Sequence, residues 1–314
     1  MSDRKKENEY DVVVVGGGAA GLNAALVLAR ADRRIAVVDG KEPRNAPAAH
    51  LHAFLANDGA PRAAFFEEGR IQLTGYGVEL IEGQVDHIAP GFSVRLQGGQ
   101  TMRTRQILMA TGLRDELPEI PGVRERWGRD LLHCPYCHGY EVRGQPLGVL
   151  GTGPGSVGQA LLLRQWSDDV VLLPGKLDVT EEERLRLTAR GVQIMEGRIE
   201  RLVVDDDRLR GVELAEGHVV PRAVVFVFPR MVPRDELLFD LDCARDANGW
   251  LITDRAGRTS VPGVWAAGNV VDPRALAVTA AGMGAAAAFA INHDLVDDEV
   301  GRAVAAFRDR NPER

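Results

Sequence analysis

The stretch Asp11-Val12-Val13-Val14-Val15-Gly16-Gly17-Gly18-Ala19-Ala20-Gly21 decides the fold. A run of valines ended by glycines reads as a short strand buried on both faces. Residues 19–31 carry apolar side chains at helical spacing, and residues 34–39 form a second apolar run. Strand, turn, helix and strand make a β-α-β unit. Within the turn, Gly16, Gly18 and Gly21 form G-x-G-x-x-G. The first glycine makes the tight turn. The second lets a pyrophosphate approach the backbone at the helix N-terminus, and the third lets helix and strand pack closely. Asp39 ends the second strand, where an acid meets the hydroxyls of an adenosine ribose.

The same pattern returns further along. Residues 147–150 read as a strand, Gly151-Thr152-Gly153-Pro154-Gly155-Ser156 as a glycine-rich turn, 159–166 as a helix and 170–173 as a strand. This copy is poorer. Ser156 stands where the third small residue belongs. The following Pro174-Gly175-Lys176 has no acid for a ribose, and Lys176 is the sole nearby cation for a 2′-phosphate. A scaffold with weakened or lost nicotinamide binding is expected.

Other segments fill in an α/β chain. Residues 78–81, 92–96, 106–109, 192–195, 199–204 and 219–228 read as strands, and 180–190 as a helix whose acids precede its bases, which suits the helix dipole. Residues 41–62 read as a loop and a short helix, and residues 1–10 as a frayed polar lead-in. Val264-Trp265-Ala266-Ala267-Gly268-Asn269 is a strand ending in a glycine, followed by an alanine-rich helix.

The chain has 314 residues, of which 45% are hydrophobic and 26% charged. That length suits two domains and a sizeable core. The net charge of −7 argues against a nucleic-acid partner, which needs a basic face. No membrane partner is expected. The apolar run 275–291 is alanine and glycine, shorter than the ~20 residues of a span, and reads as a buried helix. Arg4, Lys5 and Lys6 before an apolar stretch imitate a signal peptide, but Glu7 and Glu9 interrupt it, and a cytoplasmic location is expected.

Three cysteines are too few for a secreted disulfide framework. Two lie in Cys134-Pro135-Tyr136-Cys137-His138. Thiols at this spacing can close a small disulfide loop, and an adjacent histidine can lower a thiol pKa or move a proton. Zinc needs four ligands, and no second pair completes a set, so no metal is expected. Cys243 stands alone and reads as an incidental buried thiol. His133 is a second candidate base. His50 and His52 lie in a loop with a cofactor or substrate role open to either.

With these residues assembled, the chain resembles the low-molecular-weight thioredoxin reductase family of flavoproteins over roughly residues 10–295. Gly16–Gly21 with Asp39 is similar to that family's FAD pyrophosphate and ribose site, Ala110-Thr111-Gly112 to its crossing into a central domain, and residues 259–268 to its second FAD segment. The resemblance implies two Rossmann-like, three-layer ββα nucleotide-binding domains. The FAD domain would be discontinuous (residues 1–115 and 240–314), with residues 116–239 forming a central NAD(P)H-binding-like domain that carries the cysteines. It implies FAD contacts at Gly16, Gly18, Ala19, Ala20, Gly21, Asp39, Gly40, Lys41, Arg44, Asn45, His52, Val85, Ala110, Thr111, Gly112, Gly268, Asn269, Leu276 and Ala277. A homodimer is implied in the same way.

Departures point to a sub-branch. His138 replaces the family's usual aspartate after the second cysteine, Asn269 replaces an acid, and the paired basic residues after the second strand of the central domain are missing. Cys134-Pro135-Tyr136-Cys137-His138-Gly139-Tyr140-Glu141 and Pro43-Arg44-Asn45-Ala46-Pro47 resemble the dithiol oxidases that close disulfides of gliotoxin- and holomycin-type metabolites, a role in antibiotic biosynthesis. The resemblance implies an FAD enzyme that oxidises a small-molecule dithiol with molecular oxygen and releases hydrogen peroxide, without NADPH. Cys134 would exchange with substrate, Cys137 would face the flavin, and His138 would be the general base. The alternative is an NAD(P)H-dependent thioredoxin reductase on the same machinery.

Overall fold

The computed structural model describes residues 8–311. Of the frayed lead-in expected over residues 1–10, residues 1–7 lie outside that range. Its last two residues are not frayed: the first strand runs Glu9–Val15, and Tyr10 is buried with its hydroxyl donating to Glu79 at 2.6 Å. Burial and this bond to a carboxylate push the Tyr10 phenol up to about 12.

The chain forms two compact units. The first contains Met1–Arg44, Pro61–Arg114 and Pro233–Arg314. Its sheet places Glu79–Glu82, Ile35–Asp39, Glu9–Val15 and Thr101–Met109 side by side in parallel. Val264–Ala266 continues in parallel on Thr101–Met109, and the hairpin Val85–Ala89 and Ser93–Leu96 extends it antiparallel. Helix Ala19–Arg30 packs on helix Ala277–Arg310 through small residues. A Cβ on Gly284 would overlap the Ala20 carbonyl, so the alanine–glycine composition is what lets these backbones meet. The helix is longer than the buried run 275–291, because its second half lies on the surface. Among the described residues, no helix is long and apolar enough to cross a membrane.

The second unit contains Asn45–Ala60 and Asp115–Val232. Its parallel sheet has the order Leu131–Leu132, Val224–Val227, Leu147–Leu150, Val170–Leu173 and Gln193–Ile194. A separate antiparallel sheet joins Ile199–Asp205, Arg208–Leu214 and Val219–Pro221. The chain passes between the units in strands Leu113–Glu116 and Arg230–Pro233, which pair with each other.

The expected boundaries at 115/116 and 239/240 need correction. The second crossing falls at Val232–Pro233, where that paired strand ends. Residues 45–60 also group with the second unit: Pro47 lies so close to Gly128 that a Cβ there would collide with it. The expected helix of 159–166 begins earlier, at Gly155, and ends at Leu163. The run 219–228 is two strands, broken where Arg222 turns to pair with Asp169 at 2.5 Å. Strands Val85–Ala89 and Arg208–Leu214 and the full length of helix Arg62–Gly75 were not visible in the pattern.

Candidate active site: a nucleotide cradle and a redox disulfide

The first unit builds a cradle around the turn after Glu9–Val15. The Gly16 amide donates to the Val38 carbonyl at 2.8 Å, and the Ala110 amide to the Val15 carbonyl at 2.8 Å, so turn, second strand and the 110–112 segment meet at one sheet edge. Gly16 has φ +115°, and a Cβ on it would run into the Ala110 backbone. A Cβ on Gly21 would run into the Gly16 carbonyl. Both glycines are required by contact. Gly18 is different: nothing lies within 4 Å of a Cβ there, and the helix it precedes has no side-chain cap. The free amides of its first turn face open space, which is the environment an anion takes at a helix N-terminus.

Asp39 lies against Gly17, accepts from Arg70 at 2.8 Å and accepts from the Lys41 amide at 3.0 Å. Gly40 lies beside Gln84, next to Val85 at the start of its strand. Arg44 donates to the Pro273 carbonyl at 2.9 Å, tying the loop after Asp39 to the 268–277 segment. Gly268 (φ +80°) rests on Ala20, and Leu276 caps helix Ala277–Arg310. The Asn269 amide group donates to the carbonyls of Asp272 at 2.9 Å and Ala275 at 3.0 Å. A carboxylate could not donate these bonds, so Asn269 serves this loop as a staple. Thr111 donates to the Arg234 carbonyl at 2.5 Å, and Gly112 accepts from the Arg234 amide at 3.0 Å. Ala19, Ala20 and Ala110 complete the cradle floor. The open face at Gly18, the uncapped helix and the acid at Asp39 fit the pyrophosphate and ribose of FAD.

The second unit carries the chemistry of sulfur. Cys134 follows strand Leu131–Leu132 and forms the N-cap of the short helix Pro135–His138. Cys134 and Cys137 are joined in a disulfide with Cα atoms 5.2 Å apart. The Cys137 amide donates to the Cys134 sulfur at 3.2 Å, a bond that favours negative charge on that sulfur once the disulfide opens. A Cβ on Gly139 would lie 2.6 Å from the Pro135 carbonyl and 2.8 Å from the Trp166 ring. Tyr136 meets Trp166 edge-on at 5.9 Å and is otherwise exposed.

His138 is half-buried, and burial holds its pKa below the usual imidazole value. The neighbouring His52 lowers it further, while Glu141 opposes the shift. The His52 and His138 rings are 6.4 Å apart, and His52 Nδ1 lies 3.5 Å from Asp58 and 3.7 Å from Glu141. His50 lies 6.4 Å from His52. Of the residues expected at the cofactor, Asn45 and His52 therefore group with the cysteine unit and all the others with the cradle. Segment 45–60 folds back on itself, with the Gly59 amide on the Leu51 carbonyl at 2.8 Å, and this carries His52 toward His138. Glu141 and Asp58 escaped the sequence reading, although Glu141 stands in the quoted C-P-Y-C-H-G-Y-E run. Cys243 is buried beside Thr259, and burial raises its thiol pKa, as befits an unreactive cysteine.

The model of the pyridine nucleotide-disulphide oxidoreductase family matches residues 10–284. A crystal structure of HlmI superposes with a TM-score of 0.95 at 62% identity, covering 98% of this chain and 99% of that one. The thioredoxin reductase sirT of Leptosphaeria maculans is 29% identical over 90% of this chain and 93% of its own. The thioredoxin reductase tcpT of Claviceps purpurea is 39% identical over 163 residues, about half of each chain at 49% and 50%. The family match implies FAD binding, and together with the thioredoxin reductase-like relatives it makes this chain a thiol–disulfide oxidoreductase. This chain belongs to the pyridine nucleotide-disulphide oxidoreductase family, in its thioredoxin reductase-like part.

Proposed function

We propose that the protein is an FAD-dependent dithiol oxidase that closes a disulfide in a small-molecule dithiol and passes the electrons to molecular oxygen. The observation that carries this reading is a closed Cys134–Cys137 disulfide followed directly by an imidazole held in its neutral, basic form. A free thiol with a pKa of about 8.5 is mostly protonated at neutral pH. His138 takes the proton of the first substrate thiol, and the thiolate attacks Cys134 while Cys137 leaves as a thiolate. The second substrate thiol attacks the mixed disulfide, the substrate ring closes, and Cys134 leaves. Its charge is met by the Cys137 amide. The substrate has lost two electrons and two protons, and the enzyme dithiol has gained them. His52, 6.4 Å from His138 between ring centres, and Glu141, 3.7 Å from His52, set the charge around that base.

FAD, when bound at the Gly16–Gly21 cradle, supplies two-electron transfer from the enzyme dithiol to oxygen, giving hydrogen peroxide. The names of the relatives favour a second reading, an NAD(P)H-dependent thioredoxin reductase. That reading needs a grip on a nicotinamide nucleotide, and the turn at Gly151–Ser156 is poor in it. The homodimer, the cytoplasmic location and a place in antibiotic biosynthesis belong to the proposal by resemblance. Aerobic incubation with a small dithiol and no nicotinamide tests it. About one hydrogen peroxide per disulfide is expected, and turnover that requires NADPH would reject it.

A further inference from the structure

Helix Arg62–Gly75 carries a charge on its inward face. Its buried residues are Phe66 and Leu73, and Arg70 falls between them at the same helical spacing. This face lies toward helix Ala19–Arg30, where a Cβ on Gly69 would come within 3.9 Å of the Leu22 side chain. An arginine in such a stripe gives up hydration and needs a partner. The partner comes from the nucleotide cradle. Arg70 Nη2 donates to Asp39 Oδ2 at 2.8 Å, and the two side chains are 21% and 16% exposed. Glu67, on the same helix, stays 3.9 Å from Arg70 and is itself largely exposed, so the close bond is the one to Asp39.

Asp39 ends the second strand of the cradle, and its carboxylate is held from several directions. A Cβ on Gly17 would lie 2.3 Å from its carboxyl carbon, so the turn backs directly against it. The Lys41 amide donates to Oδ1 at 3.0 Å, and Arg70 donates to Oδ2. With one bond on each oxygen, the plane of the carboxylate is set before a ligand arrives, which lowers the cost of binding one. An ionised carboxylate has about four acceptor positions. These two bonds therefore leave room for both hydroxyls of a ribose. The Lys41 ammonium group does not share this task, because it lies 3.4 Å from Glu82.

We infer that Arg70 is a positioning residue for FAD: from the inward face of its helix it orients Asp39 to receive the adenosine ribose. The sequence pattern of the helix hides this role, since the acid that Arg70 serves stands 31 residues earlier in the chain. The inference goes beyond the oxidase reading. It concerns retention of the cofactor, whatever supplies or accepts the electrons, so either can fail without the other.

The FAD-loaded protein and its variants are diluted stepwise, and released flavin is read by its fluorescence. This gives a dissociation constant without turnover, with folding checked by circular dichroism. Arg70→Gln is expected to hold FAD at least about tenfold more weakly than the native protein, a loss of about 1.4 kcal/mol. Arg70→Lys keeps a donor and a charge without the planar fork, and its affinity should fall between the two. In an Asp39→Asn background, Arg70→Gln should change the affinity by less than about threefold, because the carboxylate it orients is gone. Native-like retention by Arg70→Gln would overturn the inference. So would the same full loss in the Asp39→Asn background, which would mean that Arg70 acts on the cofactor directly or on the fold. If Arg70→Gln does not fold, Arg70→Met takes its place in both backgrounds, with the same expected outcomes, because its apolar stem suits the stripe between Phe66 and Leu73.

Discussion

The two glycine-rich turns share one construction and differ at their third small position. A Cβ on Gly18, or on its counterpart Gly153, would meet nothing within 4 Å, and neither following helix carries a side-chain cap. The turns differ further in: Gly21 packs on the Gly16 carbonyl, whereas the Ser156 hydroxyl accepts from the Thr152 amide and the Phe228 ring lies against Gly155. Both are strand–turn–helix units with similar backbone construction. The difference lies in one side chain of the motif and one from a distant strand end. A β-α-β fold therefore does not by itself make a nucleotide site. Donors left without partners make one.

The largest expected effect contrasts the turns directly. Gly18→Val fills the open face and should strip FAD from a folded protein, lowering dithiol turnover by more than about a thousandfold, the scale seen when an essential catalytic component is removed. Gly153→Val, also with nothing within 4 Å, should keep its FAD. Flavin absorbance after gel filtration reads both, and equal retention would erase the contrast. Next come the cysteines. Cys137→Ser, mixed with a small linear disulfide, should accumulate a mixed disulfide on Cys134 visible in the intact mass, as the Cys134 thiolate attacks and half of the reagent leaves as a thiol, whereas Cys134→Ser should not. The reverse pattern would invert the assigned order.

His138→Ala should slow disulfide exchange by about 100-fold near neutral pH, with recovery as alkaline pH ionises the substrate thiol itself. Because burial and His52 depress the His138 pKa, its basic form persists as pH falls through the ordinary imidazole value, and the acid limb of the native rate lies below pH 6.5. Glu141→Gln removes the group that opposes the shift, so the limb should move to still lower pH, and a shift upward would remove Glu141 from the account. The smallest effect is on stability. Gly155→Ala must displace the Phe228 ring and should cost about 1–3 kcal/mol of unfolding free energy, the range for overpacking, while Gly18→Ala should be close to neutral at the contact. Matching melting temperatures would mean that the second crevice is not tightly filled.

Much of this was legible in the chain because it is local. Strand, turn, helix and acid at 11–39, the alanine–glycine run at 277–291 and the C-x-x-C are each written in neighbouring residues, and Ser156 stands visibly at the third position of its turn. What could not be read depends on distant partners. Phe228 reads as the last residue of an apolar run until the sheet order places it beside Gly155. His52 lies far from His138 in the chain, and the fold of segment 45–60 brings the two rings to 6.4 Å. Asn269 looks like a weakened cofactor ligand until its two carbonyl partners show a loop that needs a donor. Val85–Ala89 and Arg208–Leu214 are half-exposed hairpin strands, whose charged residues blur the alternation that marks a strand.

The central claim is that electrons enter at the disulfide from a small dithiol. Anaerobic rapid mixing of the FAD-loaded protein with a small dithiol, with NADPH and with NADH tests it most directly. The account predicts that the dithiol bleaches the flavin fast, that both nicotinamides do so slowly or not at all, and that admitting air restores the yellow colour. Bleaching by NADPH faster than by any dithiol would contradict it.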